Sequence, residues 1–392
     1  MIKLKISILS LFFFTLSTNL FAYKEISDVA AIAGGYDIPI KICIPEGRTG
    51  KMPVMFFVHG GGWNGGDDKV VPDAQIRADC DFLCDQMGII YVGLAYRCKG
   101  NNGSFHLALQ DLEASITWFE ERADQFNADL TRIGFSGASA GTTLSAVLAQ
   151  RYPNCKVYTG REGMYNVLDL DSTLSNFPNA ESRAEFGLVT YKQKLEASPY
   201  YNLRKNPATT LLLQGKDDWL CHYTQSIKFA KQIKKAGGEC KLVLYKGINH
   251  TCLNIGYPEV FRKSLMEMAH LYAKGYNLKN VDFKAIKTNL DNKTKQLLPY
   301  KHIPDNKLLG SWKSNQYGTF IFNKNGKGEF ENPKEDQSKS LTYKIKGSLV
   351  SVFIDGEKKE RVFYLRRNDH TIYELITENN RYKSRRNDYR KL

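Results

Sequence analysis

Between about residue 26 and residue 275, unbroken apolar runs alternate with stretches of helical periodicity. Pro53–Val58 (PVMFFV), Ile89–Ala95 (IIYVGLA) and Thr209–Gln214 (TTLLLQ) are continuous apolar runs. A strand covered on both faces has no polar side to show, so such runs mark a buried, mostly parallel sheet. Leu130–Phe135 and Cys240–Tyr245 read as further short strands. Helices are expected at Asp73–Met87, Leu107–Ala123, Ala140–Arg151, Thr224–Ala236 and Glu259–Lys274. In the second of these, Leu109, Leu112, Ile116 and Phe119 recur at helical spacing. The fold class that follows is α/β, with helices on both faces of the sheet. Residues 160–206 break the rhythm, are polar and aromatic, and predict a cap-like insertion over residues 23–276.

Past Tyr276 the pattern changes. Residues 277–305 are rich in Lys and Asn and read as a linker. Residues 306–392 then carry short alternating segments: Gly310–Ser314, Gly318–Asn323, Gly328–Phe330, Leu341–Lys346, Leu349–Ile354, Arg361–Arg366 and Thr371–Ile376. Turn signals such as Lys324-Asn325-Gly326 and Asp355-Gly356 separate them, which predicts a small antiparallel β-barrel or sandwich. The chain carries a net +14, and from Tyr276 onward 25 Lys and Arg stand against 14 Asp and Glu. A basic module on a near-neutral body is the reading. It carries no zinc-finger spacing and no RNP-like string, so no nucleic-acid partner is expected.

At the N-terminus, Lys3 and Lys5 precede the apolar stretch Ile6–Phe14, and Leu20-Phe21-Ala22 ends in a small residue. This is the pattern of a signal peptide over residues 1–22, so the protein is expected to be exported, with no stable membrane span once the signal is removed. Export permits disulfides among the eight cysteines, all of which precede residue 253. Their spacing suggests no metal site, and no cofactor is implied.

The residues with chemistry to offer sit just after the strands. Gly137-Ala138-Ser139-Ala140-Gly141 follows one strand and opens a helix. A nucleophile on so sharp a turn needs small flanking residues, and the helix N-terminus supplies donors where negative charge develops. An ordinary tight turn uses the same glycines. His59-Gly60-Gly61-Gly62-Trp63 follows the strand ending at Val58. Three glycines in a row are costly in backbone entropy, and they make sense where N–H groups must face a substrate oxygen. A serine hydroxyl needs a base and an orienting acid. His250 lies in Lys246-Gly247-Ile248-Asn249-His250, and Asp218 in Gln214-Gly215-Lys216-Asp217-Asp218, each just past a strand. All three sit where open α/β sheets place their sites.

On these residues the chain resembles the α/β-hydrolase family, in particular the carboxylesterase branch with a His-Gly-Gly-Gly-Trp loop, which includes bacterial feruloyl and acetyl-xylan-type esterases. Gly65-Gly66-Asp67-Asp68-Lys69, Tyr96-Arg97 and Phe105–Asp111 are similar to further segments of that branch. The resemblance implies Ser139 as nucleophile, His250 as general base and acid, and Asp218 as orienting acid, with Asp217 competing for that role. It implies the N–H groups of Gly61, Gly62 and Ala140 as an oxyanion hole, and a small-molecule or polysaccharide-linked ester as substrate. Many relatives carry a His where this chain has Ala138. A peptidase or amidase on the same fold, and a non-catalytic binding protein, are the alternative functions. If the loops after Asp218 and His250 meet, Cys221 and Cys252 are candidates for a disulfide. Tyr165, Phe177 and Tyr191 are candidates for shaping the substrate pocket, with ordinary core or surface packing as the other reading of each. Gly310-Ser311-Trp312 and Phe320-Ile321-Phe322-Asn323 resemble, more faintly, a small lipocalin-like domain.

Overall fold

The structure, a computed structural model, describes residues 23–64, 79–169, 180–250, 258–297, 303–314, 318–335, 337–347, 349–358, 360–365, 371–378 and 381–391. The expected signal segment, Gly65–Lys69, the first part of the helix expected from Asp73, Phe177 and Cys252 lie outside these residues.

Eight strands form one sheet in the order β1-β2-β4-β3-β5-β6-β7-β8. The strands are β1 (Tyr23–Ala33), β2 (Tyr36–Pro45), β3 (Met52–Val58), β4 (Ile90–Leu94), β5 (Ala128–Ala138), β6 (Cys155–Arg161), β7 (Thr209–Gly215) and β8 (Cys240–Tyr245). β1–β2 and β2–β4 pair antiparallel, and every other pair is parallel. All residues of β3 and β4 are buried, as unbroken apolar runs demand. Alternation along β3 then divides them between two cores. Val54, Phe56 and Val58 join the cluster that holds Leu109, Leu112, Ile116 and Phe119 of α1 (Phe105–Glu120) and Leu144 and Leu148 of α2 (Ala140–Arg151). Met55 and Phe57 face the opposite cluster.

The segment 160–206 holds the end of β6 and two short helices, α3 (Ala180–Glu185) and α4 (Tyr191–Glu196). The helix after β7 is α5 (Thr224–Lys235), and α6 (Pro258–Gly275) follows β8. Residues 277–305, read as a linker, contain instead a 15-residue helix, α7 (Phe283–Leu297). Its apolar stripe is narrow. Ile286 and Leu290, one turn apart, are buried in the same cluster as Phe261, Leu265 and Met268 of α6. Arg262 on α6 reaches Asp291 at 3.2 Å, and Lys293 reaches Asp81 at 3.0 Å. Two fully buried apolar positions, in a helix whose other residues are mostly Lys, Asn, Thr and Asp, are easily read as solvated chain.

After a short helix α8 (Asp305–Leu308), eight antiparallel strands close into a barrel in the order β10-β11-β12-β13-β14-β15-β16-β9. They are β9 (Gly310–Ser314), β10 (Gly318–Phe322), β11 (Lys327–Glu331), β12 (Lys339–Lys346), β13 (Leu349–Ile354), β14 (Arg361–Leu365), β15 (Thr371–Glu378) and β16 (Arg381–Lys391). Closure depends on β16, whose sequence RYKSRRNDYRK has the composition of a solvated tail. Its pairing with β15 and with β9 removes both free edges. Trp312, Phe320, Phe322, Phe330 and Phe363 fill the interior. The Phe320 and Phe330 rings lie 4.6 Å apart, as expected for an eight-stranded barrel packed by its own side chains. Among the described residues no helix is long and apolar enough to cross a membrane.

Candidate active site

Ser139 directly follows β5 and caps α2 in a conformation with φ 52 and ψ −122. A non-glycine residue there stores strain of about 1–3 kcal/mol, which the surroundings must hold in place. Two backbone hydrogen bonds do so. The Ser139 N–H donates to the Arg161 carbonyl at 2.9 Å, and the Ser139 carbonyl accepts from the Thr142 N–H at 3.0 Å. Glycines let the turn close. A Cβ on Gly137 would lie 2.3 Å from Ser145 Oγ, and one on Gly141 would lie 2.3 Å from the carbonyl oxygens of both Val58 and His59.

The glycine loop after β3 meets the same turn. Gly60 passes so close that a Cβ there would stand 2.9 Å from the Ala138 carbonyl oxygen. Gly61 (φ 115) and Gly62 (φ 66) take backbone conformations that side chains disfavour. Trp63 is fully buried, donates through Nε1 to the Ala140 carbonyl at 3.1 Å, and stacks on Phe186 at 5.0 Å. On the other flank, the Tyr96 hydroxyl donates to the His59 carbonyl at 3.2 Å while its ring stacks on the His59 imidazole at 4.4 Å. The loop is therefore pinned on both sides. Among the described residues, the N–H groups of Gly61, Gly62 and Ala140 donate to no protein acceptor.

The two remaining side chains arrive from the ends of β7 and β8. His250 Nδ1 lies 2.8 Å from Asp218 Oδ2, and His250 Nε2 lies 2.7 Å from Ser139 Oγ. Asp218 is buried. Its Oδ1 accepts from the Leu220 and Cys221 N–H groups, both at 2.9 Å, and its Oδ2 accepts from Gln214 Nε2 at 2.8 Å. Asp217 is exposed and turns away, its N–H bonded to the Ile248 carbonyl at 2.9 Å. Gly215 allows the two loops to touch, because a Cβ there would lie 2.3 Å from the Ile248 and Asn249 carbonyl oxygens. A hydroxyl, an imidazole and a carboxylate in line, beside unoccupied backbone donors, can deliver a proton-relayed nucleophile to a carbonyl carbon.

Three other candidates are placed as follows. Cys221 stands as a free thiol, and Cys252, its suggested disulfide partner, lies outside the described residues. Burial, with Asp218 and Glu162 nearby, holds that thiol well above its usual range. The disulfide the structure contains joins Cys43 on β2 to Cys80. Tyr165 is fully buried and stacks on Phe229 at 4.3 Å, so it is core and not pocket wall. Tyr191 is exposed on α4. Spacing gave no hint of Arg161 as a support. Its carbonyl holds the serine turn, while its guanidinium, fully buried, pairs with Asp79 at 3.1 Å. Burial pushes the Asp79 carboxyl up, and the guanidinium opposes that push. Only the parallel pairing of β5 with β6 reveals this support.

The BD-FAE family model matches residues 40–233. The sheet order, the serine turn and this match agree on the fold. The chain has the α/β-hydrolase fold. Carboxylesterase NlhH of Mycobacterium tuberculosis is 33% identical over 117 residues, which cover 29% of this chain and 34% of that protein. Arylacetamide deacetylase of Bos taurus is 29% identical over 119 residues, 29% of each protein. The match thus spans about a third of the length of these curated relatives. Among solved structures, the thermophilic esterase Est2 of Thermogutta terrifontis superimposes with a TM-score of 0.52 at 20% identity, covering 63% of this chain and 91% of that one. The same esterase phosphonylated by sarin gives a TM-score of 0.54 at 20% identity, covering 63% of this chain and 93% of that one. At 20% identity this likeness shows the hydrolase fold.

Proposed function

We propose that this α/β-hydrolase is a serine carboxylesterase. The observation that carries the reading is the line of contacts from Asp218 through His250 to Ser139, 2.8 Å and 2.7 Å long, beside the N–H groups of a glycine loop that find no acceptor among the described residues. His250 takes the Ser139 proton as the hydroxyl oxygen attacks the ester carbonyl carbon. The carbonyl oxygen, now negative, is held by the N–H groups of Gly61, Gly62 and Ala140. His250 passes its proton to the leaving alcohol, and a water activated by the same imidazole releases the acid. Asp218, an acceptor only, keeps the proton of the resting imidazole on Nδ1 and steadies the imidazolium. The name of the relative carboxylesterase NlhH supports ester chemistry.

The finer parts of the proposal rest on sequence. The segment 1–22 exports the protein, and the substrate is an acyl ester, in the polysaccharide-linked case an acetyl or feruloyl group outside the cell. N-terminal sequencing of the mature protein is expected to begin at Tyr23. The central test is Ser139→Ala assayed on acetyl, butyryl, feruloyl and acetyl-xylan esters. Loss of about 10⁴–10⁶ in kcat is expected. Unchanged hydrolysis by folded Ser139→Ala protein refutes the mechanism.

A further inference from the structure

We propose that Gln214 is a positioning residue for the esterase reaction, fixing the Asp218 carboxylate through a hydrogen-bonded bridge to the first turn of α5. The inference rests on the catalytic reading given above. Gln214 is the penultimate residue of β7 and is fully buried. Its amide is satisfied at both ends. Nε2 donates to Asp218 Oδ2 at 2.8 Å and to the Cys221 carbonyl at 3.0 Å. Oε1 accepts from the Ser226 hydroxyl at 2.9 Å. The orientation of the amide follows from chemistry. A carboxylate and a carbonyl only accept, so the nitrogen must face them and the oxygen must face Ser226.

The bridge does what the backbone donors alone do not. Leu220 and Cys221 hold Oδ1, while Oδ2 is the oxygen that faces His250 Nδ1. Gln214 is thus the side chain that fixes Oδ2, the atom from which His250 takes its direction. The Cys221 carbonyl, held by the same nitrogen, keeps the acid loop from peeling off β7. The next residue of α5 toward the strand end of the site, Gln225, accepts from the Tyr165 and Asn166 N–H groups at 3.1 and 2.9 Å. One helical turn, at Gln225-Ser226, therefore braces both the acid loop and the loop after β6. The titratable groups facing Asp218 are His250 and the Cys221 thiol, with Glu162 acting on the same thiol.

The test uses the full chain. Gln214→Met keeps the side-chain volume and removes every hydrogen bond of the bridge. Its kcat is expected to fall about tenfold to a hundredfold, the range found when partners that orient a site are lost, with KM within about twofold of the parent because no substrate contact is touched. Gln214→Glu sets a second carboxyl against Asp218 Oδ2, and two carboxyl groups so close share one proton. The pH profile of kcat/KM is then expected to gain an ionisation the parent lacks. A merely structural role would lower the thermal midpoint and leave kcat and the pH profile unmoved, and that result overturns the proposal. Ser226→Ala frees the amide from the other side and is expected to give a smaller fall in kcat. It decides the matter if Gln214→Met does not fold, with unchanged kcat again the refuting result. Fluorophosphonate labelling of parent Ser139 separates the two ideas. An unlabelled parent removes the esterase reading itself, whereas a labelled parent with unaffected Gln214 and Ser226 variants removes only the bridge.

Discussion

Gly141→Ala tests how tightly the serine turn depends on the close approach of α2 to the end of β3. The added Cβ would lie 2.3 Å from the carbonyl oxygens of both Val58 and His59, where ordinary contact begins near 3.4 Å. Both neighbours are backbone, at the end of buried β3 and in the first residue after it, so no side chain can swing aside. The overlap is relieved only if the start of α2 retreats by about 1 Å. Forced overpacking of this kind costs about 1–3 kcal/mol and occasionally more. Because both clashes are with fixed carbonyls, the upper end is expected, about 3 kcal/mol in urea denaturation. The retreat also drags Ser139, which caps this helix, and Ala140, whose N–H belongs to the proposed oxyanion hole. A displacement of 1 Å in a reacting group can cost about a hundredfold in rate. Purified Gly141→Ala is therefore expected to combine a lowered urea midpoint with at least a tenfold lower kcat on a short-chain ester, while retaining the far-UV circular dichroism of the parent. Parental stability and parental kcat together would refute the argument that these glycines are required by contact.

Asp79→Ala leaves the fully buried Arg161 guanidinium without its ion-pair partner, and a loss of about 3–5 kcal/mol is expected in denaturant unfolding; a loss under 1 kcal/mol would show that water reaches the cation. Ile286→Ala and Leu290→Ala are each expected to cost about 2–5 kcal/mol and to lower the unfolding midpoint of the hydrolase domain, since both side chains belong to its core; no effect would return residues 277–305 to the status of a linker. Burial pushes the Tyr272 phenol from 10.0 up to about 12, so the folded chain keeps a proton that the unfolded chain gives up. That contribution to stability is intact below pH 10 and is lost as the pH rises toward about 12, so urea midpoints measured across this range are expected to fall, and in Tyr272→Phe this part of the fall disappears.

Much of this molecule was legible from local pattern. Continuous apolar runs mark β3, β4 and β7 because strands covered on both faces have no polar side. The glycines around Ser139 and after His59 read as a site because few other needs explain so much backbone freedom in two places. Ser139, His250 and the pair Asp217-Asp218 could be singled out as candidates from their positions just past strands. Pattern failed where structure is held by partners distant in sequence. β16 reads as a charged tail because its pairing with β9, not its composition, makes it a strand. α7 reads as a linker because its two buried positions acquire meaning only against α6.

The chain on its own dictated that β3, β4 and β7 are buried strands and which turns must be tight, since burial periodicity and glycine demand are local properties. The fold decided the rest. It chose Asp218 over the adjacent Asp217, set Gln214 behind the acid and Arg161 behind the serine, and left Cys221 a free thiol. Those outcomes depend on which loop ends lie side by side across the sheet, and distances between residues as far apart as 111 positions are written only in the packed molecule.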